Sequence, residues 1–228
     1  MKRSFVLFAL TAASASAAFT FHLTGSTEMA GWENLSNANP FWAANGFPTS
    51  YPGAVAWPAP VAANAAGSAG SAALMKVSGN GYFSGSSIYD AGAPGMFSLS
   101  DAAPIQDLAT LVFQIDAGTA IGVTPVLNYN GGSQALAAHY FAQGAGDHLT
   151  FNFQTGQSFP SVNRAWQWDL TGIEVSSYQI VWGSVANNHL TQYGFQLASS
   201  DTFTRVVPEP SVPVIVSVLS LALFRRRR

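Results

Sequence analysis

The groups in this 228-residue sequence that could do chemistry are carboxylates, imidazoles, hydroxyls and indoles, and their spacing decides what each could do. Cleaving a glycosidic bond takes two carboxyl groups about 5 to 9.5 Å apart, one on each side of it. Glu28 and Glu33 lie five positions apart and Glu174 is far along the chain, so any such pairing depends on tertiary folding. Single acids between apolar runs are more often turn formers. The histidines, His22, His139, His148 and His189, lack the short spacing that puts two imidazoles on one zinc ion, and no His-Glu-x-x-His occurs. No Gly-x-Ser-x-Gly elbow marks a serine nucleophile, and the absence of cysteine removes thiol catalysis, cysteine metal sites and disulfides. Asn130-Gly131-Gly132-Ser133 and Gly144-Ala145-Gly146-Asp147 carry oxygens that could hold calcium, but without the repeated acids of a calcium loop they read as turns. Asn34-Leu35-Ser36 matches a glycosylation sequon that a chain of this length meets by chance. The sequence therefore predicts no catalytic residue, no metal and no cofactor.

The indoles pose a different question, because exposed aromatic faces flanked by Asn, Gln and Asp can grip sugars. Trp166 and Trp168 share one face of an alternating run and are expected in a core. Trp42 and Trp57 fall in an aperiodic stretch and are the candidate ligand-binding residues; anchoring that stretch onto the body is the competing role.

The elements that must position these groups are strands. Leu111, Phe113 and Ile115 alternate with Val112, Gln114 and Asp116. The same period of two recurs in Phe151-Asn152-Phe153-Gln154, Ala165-Trp166-Gln167-Trp168-Asp169 and Tyr193-Gly194-Phe195-Gln196-Leu197, and less cleanly in Ser177 to Trp182. The glycine-containing runs named above, with Thr155-Gly156-Gln157-Ser158, are the expected turns between them. Phe19 to Leu23 is a candidate first strand, while residues 39–70, rich in Pro, Ala, Asn and Gly yet carrying several aromatics, read as a long ordered loop or a flexible insertion. The fold class expected is all-β, a single jelly-roll-like β-sandwich over residues 19–205. That body holds ten acids and three bases, a net charge of −7. A surface of this sign repels a phosphate backbone, so nucleic acid is excluded as a partner.

The two ends have a different character. Met1-Lys2-Arg3 followed by Ser4 to Leu10 and then Ala12-Ala13-Ser14-Ala15-Ser16-Ala17-Ala18 has the charged start, short apolar run and small-residue exit of a secretory signal peptide, cut by signal peptidase after Ala17 or Ala18. Residues 206–228 run through Val206-Val207 and Pro208-Glu209-Pro210 into an apolar segment from Ser211 to Phe224, then Arg225, Arg226, Arg227 and Arg228. The prolines hold their segment extended, and the arginines keep their end in the cytoplasm. As a helix the 14 apolar-segment residues span about 21 Å against a hydrocarbon core of about 30 Å, a marginal membrane anchor. Val206-Val207 dipping into the membrane interface would lengthen it.

In order, spacing and position, Pro208-Glu209-Pro210, the apolar run and Arg225 to Arg228 resemble the tripartite signal of the PEP-CTERM family; the resemblance covers residues 208–228 and does not reach the body. It implies sorting by an exosortase, a membrane enzyme of Gram-negative bacteria that commonly make exopolysaccharide, with cleavage near the Pro-Glu-Pro motif. Pro213 in the first turn of the apolar segment departs from an uninterrupted helix, at a position a helix tolerates. The function expected is that of an exported, non-enzymatic cell-surface or matrix protein. It would be anchored transiently in the inner membrane and then reside in the envelope or the extracellular matrix, with exopolysaccharide as a further partner. A carbohydrate-binding jelly-roll module is the first alternative, and a secreted polysaccharide hydrolase acting through Glu28 or Glu33 the second.

Overall fold

The period-two runs pair into two antiparallel sheets that face each other across an aromatic core. The computed structural model describes residues 21–118, 121–152 and 155–207. Its elements in chain order are β1 (Thr27–Trp32), α1 (Pro40–Ala44), β2 (Val61–Ala62), β3 (Ala73–Gly79), β4 (Tyr82–Phe83), β5 (Ile88–Tyr89), β6 (Gly95–Asp101), β7 (Thr110–Ala117), β8 (Val123–Tyr129), β9 (Leu136–Ala137), β10 (Tyr140–Asn152), β11 (Gln157–Asp169), β12 (Tyr178–Gly183) and β13 (Thr191–Ser200). The larger sheet runs β10-β11-β7-β13-β5-β4, with β1 also on β13; the smaller runs β2-β3-β6-β12-β8-β9. Strands β1 and β5 share one edge of β13, the first from Thr27↔Ser200 to Trp32↔Phe195 and the second at Gln192↔Ile88 and Thr191↔Tyr89. The protein is thus an all-β sandwich, and the chain passes back and forth between its two sheets.

Alternation decides which side chains enter the space between the sheets. From the larger sheet come Leu111, Phe113 and Ile115 of β7, Trp166 and Trp168 of β11, and Phe195 and Leu197 of β13, all buried in one cluster with Leu99, Ile180 and Trp182 of the smaller sheet. Trp182 sits with its ring centroid 4.7 Å from that of Phe113 and 5.4 Å from that of Phe195. Its indole N–H donates to Gln192 at 2.8 Å, giving the polar edge a partner inside the core.

Residues 39–70 are ordered and belong to the core. Asn39 caps α1 by accepting the Phe41 N–H at 3.1 Å, and Pro40 follows at the first helical position, where its missing N–H costs nothing. The helix carries Trp42 inward, and Trp42, Phe47, Trp57 and Phe83 pack together at one end of the sandwich. Buried Lys76 ties down the stretch before Trp57 by donating to the carbonyls of Gly53, Val55 and Gly81.

Three local expectations are corrected. Residues 21–24 form no strand, and the first among the described residues is β1. Gly144-Ala145-Gly146-Asp147 lies inside β10 rather than in a turn, because the pairing with β11 slips between Ala145 and Leu149 and the extra residues form a bulge. Phe151, expected on a buried face, is 49% exposed, since β10 and β11 run past the end of β7.

One buried acid makes the sandwich sensitive to pH. Asp90 is fully buried, and Gly92 N–H donates to its Oδ1 at 3.1 Å. Burial pushes its carboxyl above the usual aspartate range. The folded state then holds a proton that the unfolded chain has lost, so this group's contribution to stability falls as pH rises from the ordinary aspartate value through the raised one. Asp90→Asn keeps an acceptor for Gly92 and removes the charge. In urea titrations over a pH series, the stability of the variant relative to the parent should grow across that window and level off above it. A pH-independent difference would contradict this account.

Candidate functional site

The outer face of the larger sheet is built from the positions that alternate with the core. There β7 presents Val112, Gln114 and Asp116, β11 presents Asn163, Ala165 and Gln167, and β13 presents Gln196 and Ala198. Sequence periodicity turns Gln114 and Asp116 away from the core, but as solvated positions of a half-buried strand; in the structure all eight residues of β7 are buried, because this face is covered too.

Two kinds of cover divide it. At the Val112 end, Phe21, Val112, Ala165, Ala198 and Val207 form a second apolar cluster, with Leu23 and Val206 packed against it. Gln167, fully buried, clamps the C-terminal segment: its Oε1 accepts the N–H groups of Val206 and Val207, each at 3.0 Å, and its Nε2 donates to the Thr204 carbonyl at 2.6 Å. Thr110 Oγ1 adds a donor to the Thr202 carbonyl and an acceptor for the Thr204 N–H. Val206 and Val207 are therefore part of the folded body, which corrects the expectation that the pair dips into a membrane interface.

At the Asp116 end the face opens into a groove of about 630 Å³. Its floor follows from the register. Gln114 lies between Ala165 and Gln196, with Gly31 beyond Gln196, while Asp116 lies between Asn163 and Gly194, with Gly144 beyond Asn163. Amides and a carboxylate thus occupy the middle strands, and glycines, which fill no space, flank them.

One wall is the end of β1 with the segment 64–69. Asn64 bonds both backbone groups of Glu33 at 2.8 Å, Ser68 Oγ accepts the Gly31 N–H at 3.0 Å, and Ala69 N–H donates to Met29 at 2.7 Å. The opposite wall is the β10 bulge. It places His148 with Nδ1 2.6 Å from Asp116 Oδ2, and the imidazole stacks on Tyr193, rings 4.3 Å apart and nearly parallel. Tyr193 in turn shares a 2.9 Å hydrogen bond with Thr150. Burial, together with the nearby Asp116 charge, outweighs that bond and raises the tyrosine above its ordinary pKa. With Nδ1 engaged by Asp116, Nε2 is the ring nitrogen left to meet a ligand, on a side chain that is 49% exposed. Gly146 is needed here, since a Cβ would lie 2.1 Å from Ser161 Oγ and 2.3 Å from Asp116 Oδ1.

Polar satisfaction is incomplete in the groove floor. Gln114 Nε2 donates to Asn163 Oδ1 at 3.3 Å, but Gln114 Oε1 and Asp116 Oδ1 are buried without a partner. Among the described residues, no lysine or arginine lines the groove, whereas Glu33, Asp116 and Asp147 do.

The residues singled out in the sequence fare differently. Trp42 and Trp57 are 1% and 3% exposed, with indole N–H groups bonded to the Asn34 and Gly81 carbonyls. Neither offers a face to a ligand, which corrects their candidacy: the stretch that carries them is aperiodic because it wraps the core, not because it is open. Glu28 and Glu33 line different cavities, the first a small one with Asp101 and Tyr178, the second the groove. Burial and the Asp101 charge raise the Glu28 carboxyl. His139 accepts the Asp169 N–H and His189 bonds Tyr89, so the histidines are dispersed. Among the described residues, no group of three or more His, Asp or Glu could hold a metal ion, and no helix is long and apolar enough to cross a membrane. Ala17, Ala18, Pro208, Glu209, Pro210, Arg225, Arg226, Arg227 and Arg228 lie outside the described residues.

The sequence marked Gln114 and Asp116 as facing away from the core but did not bring them to His148, Asn163, Tyr193 and Gln196, because strand register is not written in any one run. Comparison with protein-family models, with curated proteins and with solved structures finds no match for this chain.

Proposed function

We propose that the chain is an exported, non-enzymatic surface or matrix protein: signal peptidase removes its first residues, and an exosortase-type enzyme of a Gram-negative envelope acts at Pro208-Glu209-Pro210. The tripartite order of that motif, the apolar run and the four terminal arginines carries the reading. The strap at the end of the body agrees with it. Val207 is 1% exposed against the sheet, so a cut that spares the folded body falls C-terminal to Val207. The motif begins at the next residue.

Replacing Pro208, Glu209 and Pro210 with alanine in the native host should leave Arg225 to Arg228 on the protein and keep it in the membrane fraction, while the parent loses them. Identical processing of both would overturn the proposal. For the body, hydrolysis through Glu28 and Glu33 acting as a pair is disfavoured, since the two line different cavities, and glycan binding in the groove is the reading adopted.

A further inference from the structure

We infer that the groove on the outer face of the larger sheet is a binding site for a neutral, hydroxyl-rich glycan chain, with Gln196 and His148 as its principal contacts and Met29, Ala65 and Ala66 as the wall for sugar C–H faces. The inference deepens the glycan-binding reading of the body and is independent of how the tail is processed.

Four observations converge on this chemistry. The groove presents acceptors within a ligand's reach: His148 and Glu33 are exposed, and Gln196 is half-buried. A ligand that satisfies such a site supplies hydroxyl hydrogens. Its three acids, with no lysine or arginine among the described lining residues, disfavour anionic polymers such as uronic-acid polysaccharides and nucleic acids. A peptide added as a strand has no edge to use there, because the floor is the face of a sheet and the segment 64–69 already bonds along β1. The volume, about 630 Å³, lies within the range of small-ligand clefts, and its open form suits a chain passing through.

Both walls are held rigidly. Asp116 fixes the imidazole from below and Tyr193 supports its face, while Asn64 and Ser68 fasten the opposite side. Such preorganisation lowers the ordering cost of binding. Gln196 is half-buried and central to the floor, so its amide can both donate to and accept from adjacent hydroxyls.

The test is native affinity electrophoresis of the mature protein, taken from the host medium or, if it is retained, solubilised from membranes. Gels carry dextran, mannan, galactomannan or a mixed-linkage β-glucan, with alginate as the anionic comparison. Retardation by at least one neutral polymer is expected, weakened about tenfold or more by His148→Ala and by Gln196→Ala. Ala66→Trp, which fills the groove from an exposed position, should abolish it. Unchanged melting temperatures would show that the variants fold. No retardation by any neutral polymer, retardation by alginate alone, or binding indifferent to all three substitutions would overturn the inference. Release of reducing ends from a bound polymer would also overturn it, because the site would then be catalytic. Using either preparation separates this result from the fate of the tail.

Discussion

Trp42→Ala and Trp57→Ala should each lower the stability of the protein by about 3–5 kcal/mol, the cost of emptying a tryptophan site in a packed core. Both rings stack on Phe83, Trp42 at 4.0 Å and nearly parallel, Trp57 at 5.0 Å. Phe47 meets all three rings edge-on, at 5.5 Å, 5.8 Å and 5.6 Å. Removing either indole loses that burial and its aromatic pairings and leaves a carbonyl, that of Asn34 or Gly81, without its donor. Chemical denaturation checks the magnitude. A stability change under about 1 kcal/mol, or glycan binding lost in a variant that remains fully folded, would return these residues to the ligand-binding role their sequence context suggests.

Gln167→Leu should cost about 2–4 kcal/mol and free residues 204–207. The substitution removes three hydrogen bonds to the strap in a fully buried position, each worth about 0.5–1.5 kcal/mol. It also loosens the cover over Val112, Ala165 and Ala198. Limited proteolysis should then cut within residues 202–207 of the variant at a protease concentration that leaves the parent intact. Equal resistance of the two would mean that Arg205 over the Tyr140 ring, at 4.3 Å, and Thr110 suffice to hold the strap.

Strands with one fully apolar face were legible in the sequence. Trp166 and Trp168 on β11, Phe195 and Leu197 on β13, and Phe113 and Ile115 on β7 are all buried, as their spacing demands. What alternation could not supply was the state of the opposite face, since a polar residue at an outward position reads the same whether water or another segment covers it. Gln167 is buried under residues 204–207 and Asp116 beside the β10 bulge, while Gln114 lies in the floor between them, and the covering segments carry no periodic signal. Gly144 and Gly146 read as a turn for a related reason: glycine serves a bulge as well as a bend, and only the pairing partner tells them apart. The groove was harder still. Its residues come from β1, the segment 64–69, β7, β10, β11 and β13, which lie far apart in the sequence and meet only through register.

Intact mass and C-terminal sequencing of the protein isolated from its native host test the account most directly. The prediction is a polypeptide that starts at Ala18 or Phe19 and ends within or just after Pro208-Glu209-Pro210, with the Val206-Val207 strap retained and Arg225 to Arg228 gone. A mature protein that still carries Arg225 to Arg228 would contradict it and make the tail a plain membrane anchor.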